Sequence, residues 1–303
     1  MKWIGQKLVY GPDGRYSWAR HSALTPTPIL LGDVIRVFAG FRDEKGVSRI
    51  GCVDVSARDP SRVIRVSPEP LLDVGENGAF DDNGVILGDV VAVGGEWRMY
   101  YVGFQLVARA KFLAFTGLAI GDANCYQFQR VRRTPVLDRS DEGVFIRAIH
   151  SVCHEGDKWK VWYAAGNSWR FIDERPYPCY EIRYLESEDG VCFPEVGAVC
   201  LKPEGDEYRI GRPRVYRDGD KYQMLFTKGD LHGAYLPGHA VSSDGRNWTR
   251  DDTRAGISPS KSGWDSRMLC YPTVIDTVDK RYLFYNGNDM GRDGFGYAEL
   301  AKD

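Results

Sequence analysis

Apolar and polar positions alternate over short stretches of this chain, and no long segment keeps the three-to-four-residue spacing of an amphipathic helix. The alternation returns as five aromatic-rich segments: Val34–Phe38, Trp97–Tyr101, Trp159–Tyr163, Tyr222–Phe226 and Tyr282–Tyr285. Aligned on Phe38, Tyr100, Trp162, Phe226 and Phe284, they stand 62, 62, 64 and 58 residues apart. Near-constant spacing marks a repeat architecture with one supersecondary unit per period.

Four of the aromatic segments follow a tight turn, at Gly94-Gly95, Gly156-Asp157, Gly219-Asp220 and Val278-Asp279, as the second strand of a hairpin would. A third strand then runs into Ser187-Glu188-Asp189-Gly190 or Ser243-Asp244-Gly245, where Asp-Gly predicts a type I′ turn and a fourth strand beyond it. Four strands in five repeats predict an all-β fold. It is a five-bladed β-propeller, with four-stranded antiparallel blades around a central channel. The last repeat ends at Gly296–Leu300 without a fourth strand. Trp3–Tyr10 would supply it and close the ring, which removes open sheet edges and makes residues 1–303 one domain.

Composition narrows the function. Hydrophobic residues are 43% and charged residues 27% of the 303, enough for a packed core. A net charge of −2 excludes a broad electrostatic grip on nucleic acid. No apolar run approaches the roughly 20 residues that span a bilayer, and the first residues lack a secretory h-region, so no membrane partner is expected. The seven cysteines form no C-x-x-C pair, which argues against structural zinc and fits a reducing cytoplasm. The five histidines have no metal-binding spacing. No metal and no cofactor is expected.

In a propeller the innermost strands line the channel. They should precede the aromatic strands by roughly 10–20 residues, the span of one hairpin arm and its turn. That selects Ser17–Ser22, Phe80–Gly84, Phe145–His150, Ile210–Arg214 and Arg267–Pro272, all unusually polar for inner strands. Asp81 and Asp82 are adjacent and point to opposite faces, so only one reaches the channel, and the sequence leaves open which. Arg212 precedes Pro213 and is expected to be extended; inside a channel it needs a carboxylate or a ligand anion. Arg20 with His21 and Arg147 with His150 occupy matching repeat positions. Asp265 opens the last inner strand, an acid/base position or a turn cap. Tyr271 lies on that strand, Asn286 and Asn288 either offer side-chain amides to a ligand or make a turn with Gly287, and Trp169, Asp230 and His232 fall in loops at the rim.

The stretches Phe80–Val85, Arg209–Pro213, Gly263–Ser266 and Tyr285–Asn288, with the blade pattern, resemble the five-bladed glycoside hydrolases of families 43, 32, 62, 68, 117 and 130 over essentially the whole chain. The resemblance implies a carbohydrate-active enzyme cleaving or transferring a glycosidic bond by carboxylate general acid/base catalysis. Asp82, Asp265 and Asp81 are then the catalytic candidates. Arg20, His21, Arg147, His150, Trp169, Arg212, Asp230, His232, Tyr271, Asn286 and Asn288 are the substrate-binding candidates. Arginines stand where family 43 enzymes place acids, so the expected substrate is a small anionic glycoside: phosphorylated, nucleotide-linked or acidic. The incomplete carboxylate set keeps a non-hydrolytic glycan- or nucleotide-sugar-binding propeller as the alternative.

Overall fold

The computed structural model describes residues 1–233 and 235–302. The chain is all-β. Strands β1 (Trp3–Tyr10), β2 (His21–Leu31), β3 (Val34–Arg42), β4 (Ser48–Ser56) and β5 (Val63–Val66) are followed by β6 (Val85–Val93), β7 (Glu96–Gln105), β8 (Leu113–Gly121) and β9 (Phe128–Arg130). Next come β10 (Ile146–Glu155), β11 (Lys158–Ile172), β12 (Arg175–Ser187) and β13 (Ala198–Leu201), then β14 (Glu207–Asp218), β15 (Lys221–Asp230), β16 (Tyr235–Ser242) and β17 (Thr249–Arg250). The series ends with β18 (Cys270–Asp276), β19 (Arg281–Asn286) and β20 (Phe295–Leu300).

Each aromatic segment forms the second strand of its repeat, in β3, β7, β11, β15 and β19. Consecutive strands pair antiparallel, and the N-terminal β1 pairs antiparallel with β20, from Trp3 opposite Leu300 to Tyr10 opposite Phe295. The hydrogen bonding does not run round as one ladder. It makes three sheets, the largest joined only by short parallel contacts between β8 and β10 and between β12 and β14. Packing goes further than hydrogen bonding. The first strands lie beside one another in cyclic order, β2 by β6, β6 by β10, β10 by β14, β14 by β18, and β18 back by β2.

The core lies between neighbouring repeats. Phe38 packs with Tyr101 and Met99, and Tyr163 with Tyr100 and Leu118. Alternation puts one face of each aromatic strand against the next sheet, and these large rings bury much of the apolar area that drives folding. The Asp-Gly turns differ from the type I′ expectation. Gly190 and Gly245 alone take positive φ, while the Asp189 and Asp244 side chains accept hydrogen bonds from the backbone beyond the turn. No helix among the described residues is long and apolar enough to cross a membrane. All seven cysteines are unpaired.

Candidate functional site

Every first strand carries a one-residue β-bulge at the same place in its repeat. The register shifts at Thr25-Pro26 in β2, Gly88 in β6, His150 in β10, Arg212-Pro213 in β14 and Tyr271-Pro272 in β18. Thr25, Arg212 and Tyr271 have φ of 54°, 54° and 58°. Left-handed backbone is unfavourable for these residues, and most so for β-branched Thr25. The following prolines donate no ladder hydrogen bond, and bulges are where a sheet accepts them. Arg212 is therefore left-handed, not extended as expected from Pro213: the bulge overrides the usual preference of a residue before proline. Gly88 has no side chain because a Cβ there would collide with the Ile149 carbonyl.

The bulges deliver Thr25, His150, Arg212 and Tyr271 to one cavity of about 430 Å³. Arg212 crosses it, donating to the Leu87 carbonyl, to Thr25 O at 3.3 Å, to Thr27 Oγ1 at 3.0 Å and to His150 Nδ1 at 3.0 Å. Arginine only donates, so His150 Nδ1 accepts and the neutral ring carries its proton on Nε2. Burial and the Arg212 charge hold His150 well below its ordinary value of 6.5. Burial likewise draws the Arg212 guanidinium down to about 9. The nearby acid Asp89 is engaged elsewhere, by Arg214 at 2.5 Å and by the Val152 amide at 2.8 Å.

Two further arginines line the cavity, Arg42 at the end of β3 and Arg209 on β14. Neither guanidinium has a hydrogen-bond or salt-bridge partner among the described residues, and the Nε of each is buried without one. Arg209 lies over the rings of Tyr235 at 4.6 Å and Tyr208 at 4.7 Å. Arg42, Arg209 and Arg212 all act electrostatically on the Tyr271 phenol, although burial dominates and pushes it up. Lys111 adds a fourth cation at the edge. Among the described residues, no lining side chain is Asp or Glu. Unpaired buried charge is costly, so such a cavity favours an anion.

The other residues expected at the site lie elsewhere. Asp81 and Asp82 sit in a turn before β6, not on it. Asp81 is 1% exposed and accepts hydrogen bonds from Tyr101 at 3.1 Å and Arg130 at 2.8 Å. Asp265 is equally buried and accepts from Tyr285 at 2.8 Å and Gln6 at 3.1 Å. Glu142, missed in the sequence, accepts from Tyr163, from Arg147 at 2.9 Å and from Arg183 at 2.8 Å. These three acids stand 20 or 21 residues before the tyrosine they bind and clamp the segments before β6, β10 and β18 to the second strands β7, β11 and β19. Asp82 accepts from the Gly78 amide and from Asn83, itself a cavity residue.

Arg147 points away from the cavity into that Glu142 clamp. Arg20 is exposed, 3.6 Å from Glu44, and His21 bonds Ser22. Trp169 lies within the long β11 instead of a loop, tilted against Phe145 at 4.5 Å and edge-on to Phe112 at 5.6 Å. Asp230 accepts from the amide of exposed His232, making a turn. Asn286 is fully buried and fixes the β2 bulge, accepting from the Thr25 amide at 2.7 Å and donating to Ala23 O at 2.7 Å. Asn288 holds the Gly263–Met268 loop. Of the residues expected at the site, the cavity gathers His150, Arg212 and Tyr271. No cluster of metal-binding side chains occurs among the described residues.

No family model matches the chain. It is 33% identical over 304 residues to the "Uncharacterized protein Rv1502" of Mycobacterium tuberculosis, covering 99% of each protein. The chain belongs to the family of that mycobacterial protein. Its fold is that of glycoside-hydrolase-like propellers. A structure named "Glycoside hydrolase" superposes with a TM-score of 0.75 at 18% identity, covering 98% of this chain and 91% of the other. A GH130-family structure gives 0.71 at 15% identity (98% and 94% covered), and a thermostable family-43 glycoside hydrolase 0.71 at 14% (93% and 90%). At these identities the likeness is one of fold.

Proposed function

We propose that this chain is a carbohydrate-active enzyme of the glycosidase-propeller type, acting on a small anionic glycoside held in the Arg212 cavity. The observation that carries this reading is the cluster of Arg42, Arg209 and Arg212 with no carboxylate among them. The anion class is phosphorylated, nucleotide-linked or acidic sugar, since guanidinium matches both phosphate and carboxylate oxygens. The fold neighbours named as glycoside hydrolases support the carbohydrate half of the reading. The architecture in this reading is five four-stranded blades around a channel, one domain closed by β1. The cyclic order of the first strands and their matched bulges support it. The unpaired cysteines support a cytoplasmic location.

Within this reading Asp82 is the carboxylate assigned to proton transfer, one hydrogen bond behind the cavity residue Asn83. Asp81 and Asp265, bound to tyrosines and buried, serve the scaffold. The absence of Asp and Glu from the lining, among the described residues, favours a second reading, a non-hydrolytic site for a glycan or nucleotide sugar. Incubation with sugar phosphates, nucleotide sugars and uronosides, followed by chromatography, separates the two. Product formed by the wild type and lost in Asp82→Asn supports the enzyme. Thermal stabilisation without product supports the binding protein. No stabilisation by any anion sinks both.

A further inference from the structure

The cavity lining combines a group of cations with a group of apolar side chains. Three of the four cations, Arg42, Arg209 and Arg212, come from β3 and β14, and Lys111 comes from the segment before β8. An apolar wall comes from β6, β7, β8 and β10 and the segment before β8: Ile86, Val102, Phe104, Phe112, Ala114 and Ile146, part of one hydrophobic cluster. Phe104 and Phe112 meet edge-to-face at 5.3 Å, and Phe112 continues through Trp169 to Phe145. None of these wall side chains has a hydrogen-bonding atom, and their strands spend their backbone groups on ladders. A sugar hydroxyl pressed against these side chains, beyond the reach of the neighbouring Asn83 and Lys111, would be buried without a partner, which is unfavourable. Leu106 lines the same side and stays 63% exposed, an apolar side chain at the cavity edge with nothing over it.

We infer that the ligand joins its anionic end to an apolar group, seated on the Phe104–Phe112 wall. This rests on the anionic-glycoside reading and adds what the sugar is attached to. The ligand class is a glycoside with an aryl or alkyl substituent, its charged group at Arg42 and Arg209. An apolar group there removes water from Phe104, Phe112 and Leu106 and asks for no hydrogen bond, which is the favourable exchange of hydrophobic burial.

Calorimetric titration tests it with matched probes: inorganic phosphate against phenyl phosphate, and acetate against phenylacetate, with phenol alone as control. The phenyl compound of the better-bound anion should bind roughly tenfold tighter than the bare anion or more, the gain expected for burying one ring. The gain should vanish in Phe112→Ser and persist in Phe112→Leu, with unliganded melting of both variants checking the fold. Arg209→Gln should weaken bare and phenyl anions alike. Equal affinity for bare and phenyl anions, or a gain that survives Phe112→Ser, overturns the inference and leaves the anion site standing. If no anion binds, the anionic reading fails and this inference fails with it.

Discussion

Arg212 donates a hydrogen bond to His150 Nδ1 across 3.0 Å, joining bulges that lie 62 residues apart in the chain. The pair holds a cation in the cavity lining against a neutral imidazole, two carbonyls and a hydroxyl, with Asp89 acting on it only from a distance and no carboxylate among the described residues bonded to it. Removing that cation strands no buried acid. Arg212→Gln leaves some of these buried acceptors without a donor and is expected to cost about 1–3 kcal/mol of unfolding free energy. It should weaken binding of any anionic sugar about tenfold or more. Urea unfolding and calorimetry measure the two effects, and a large stability loss with intact binding would contradict the assignment.

The clamps carry stability without binding. Tyr285 donates to buried Asp265, and Asp265→Ala leaves that hydroxyl without its acceptor. The expected loss of stability is about 1–3 kcal/mol, the cost of an unsatisfied buried polar group. Anion binding in the folded fraction should stay within about threefold, since Asp265 lies outside the cavity lining. Loss of binding at unchanged stability would return Asp265 to the site.

Arg36 and Asp54 form a bidentate pair, 2.7 and 2.8 Å, with both side chains 9% exposed. Breaking a buried pair from one side typically costs about 3–5 kcal/mol. Asp54→Ala should fall in that range. Arg36→Met with Asp54→Leu should recover much of the loss, as a double-mutant cycle in chemical denaturation would show.

Two histidines set an acid limb to stability. His150 lies well below 6.5 through burial and Arg212, and His239 is drawn down to about 4 through burial and Arg254. The unfolded chain takes up these protons first, so stability falls as pH drops below about 6.5, and for His239 the loss is complete below about 4. Each contributes a slope of up to about 1.4 kcal/mol per pH unit. Glu155 and Asp189, both lowered to about 2, lose their contribution only as pH falls through the carboxylate range. Unfolding curves at pH 7.5, 6.5, 5.5 and 4.5 should show the decline, shallower in His239→Gln. A flat profile above pH 5 would refute the buried neutral state of both.

The repeat was legible because ring-bearing strands recur at a fixed step, and the pairing of β1 with β20 followed from counting strands. The site was legible only where a bulge residue was itself polar, as at His150, Arg212 and Tyr271. Arg42 and Arg209 were missed because an unpaired guanidinium is a fact about neighbours, not about sequence. Asp81 and Asp265 drew attention as acids near first strands. Their tyrosine partners, 20 residues on, sit in the aromatic segments and look like core. The matching distances were a signal that repeat alignment offered. Arg147 was placed in the channel for want of Glu142, its partner five residues earlier.

The most direct test of the account is thermal unfolding of wild type and Arg209→Gln with sugar phosphates, nucleotide sugars and uronosides, each beside its neutral parent sugar. The account expects at least one anionic member to raise the wild-type midpoint while its neutral parent does not, and Arg209→Gln to lose the shift. Equal shifts from charged and neutral sugars, or shifts unaffected by Arg209→Gln, would contradict it.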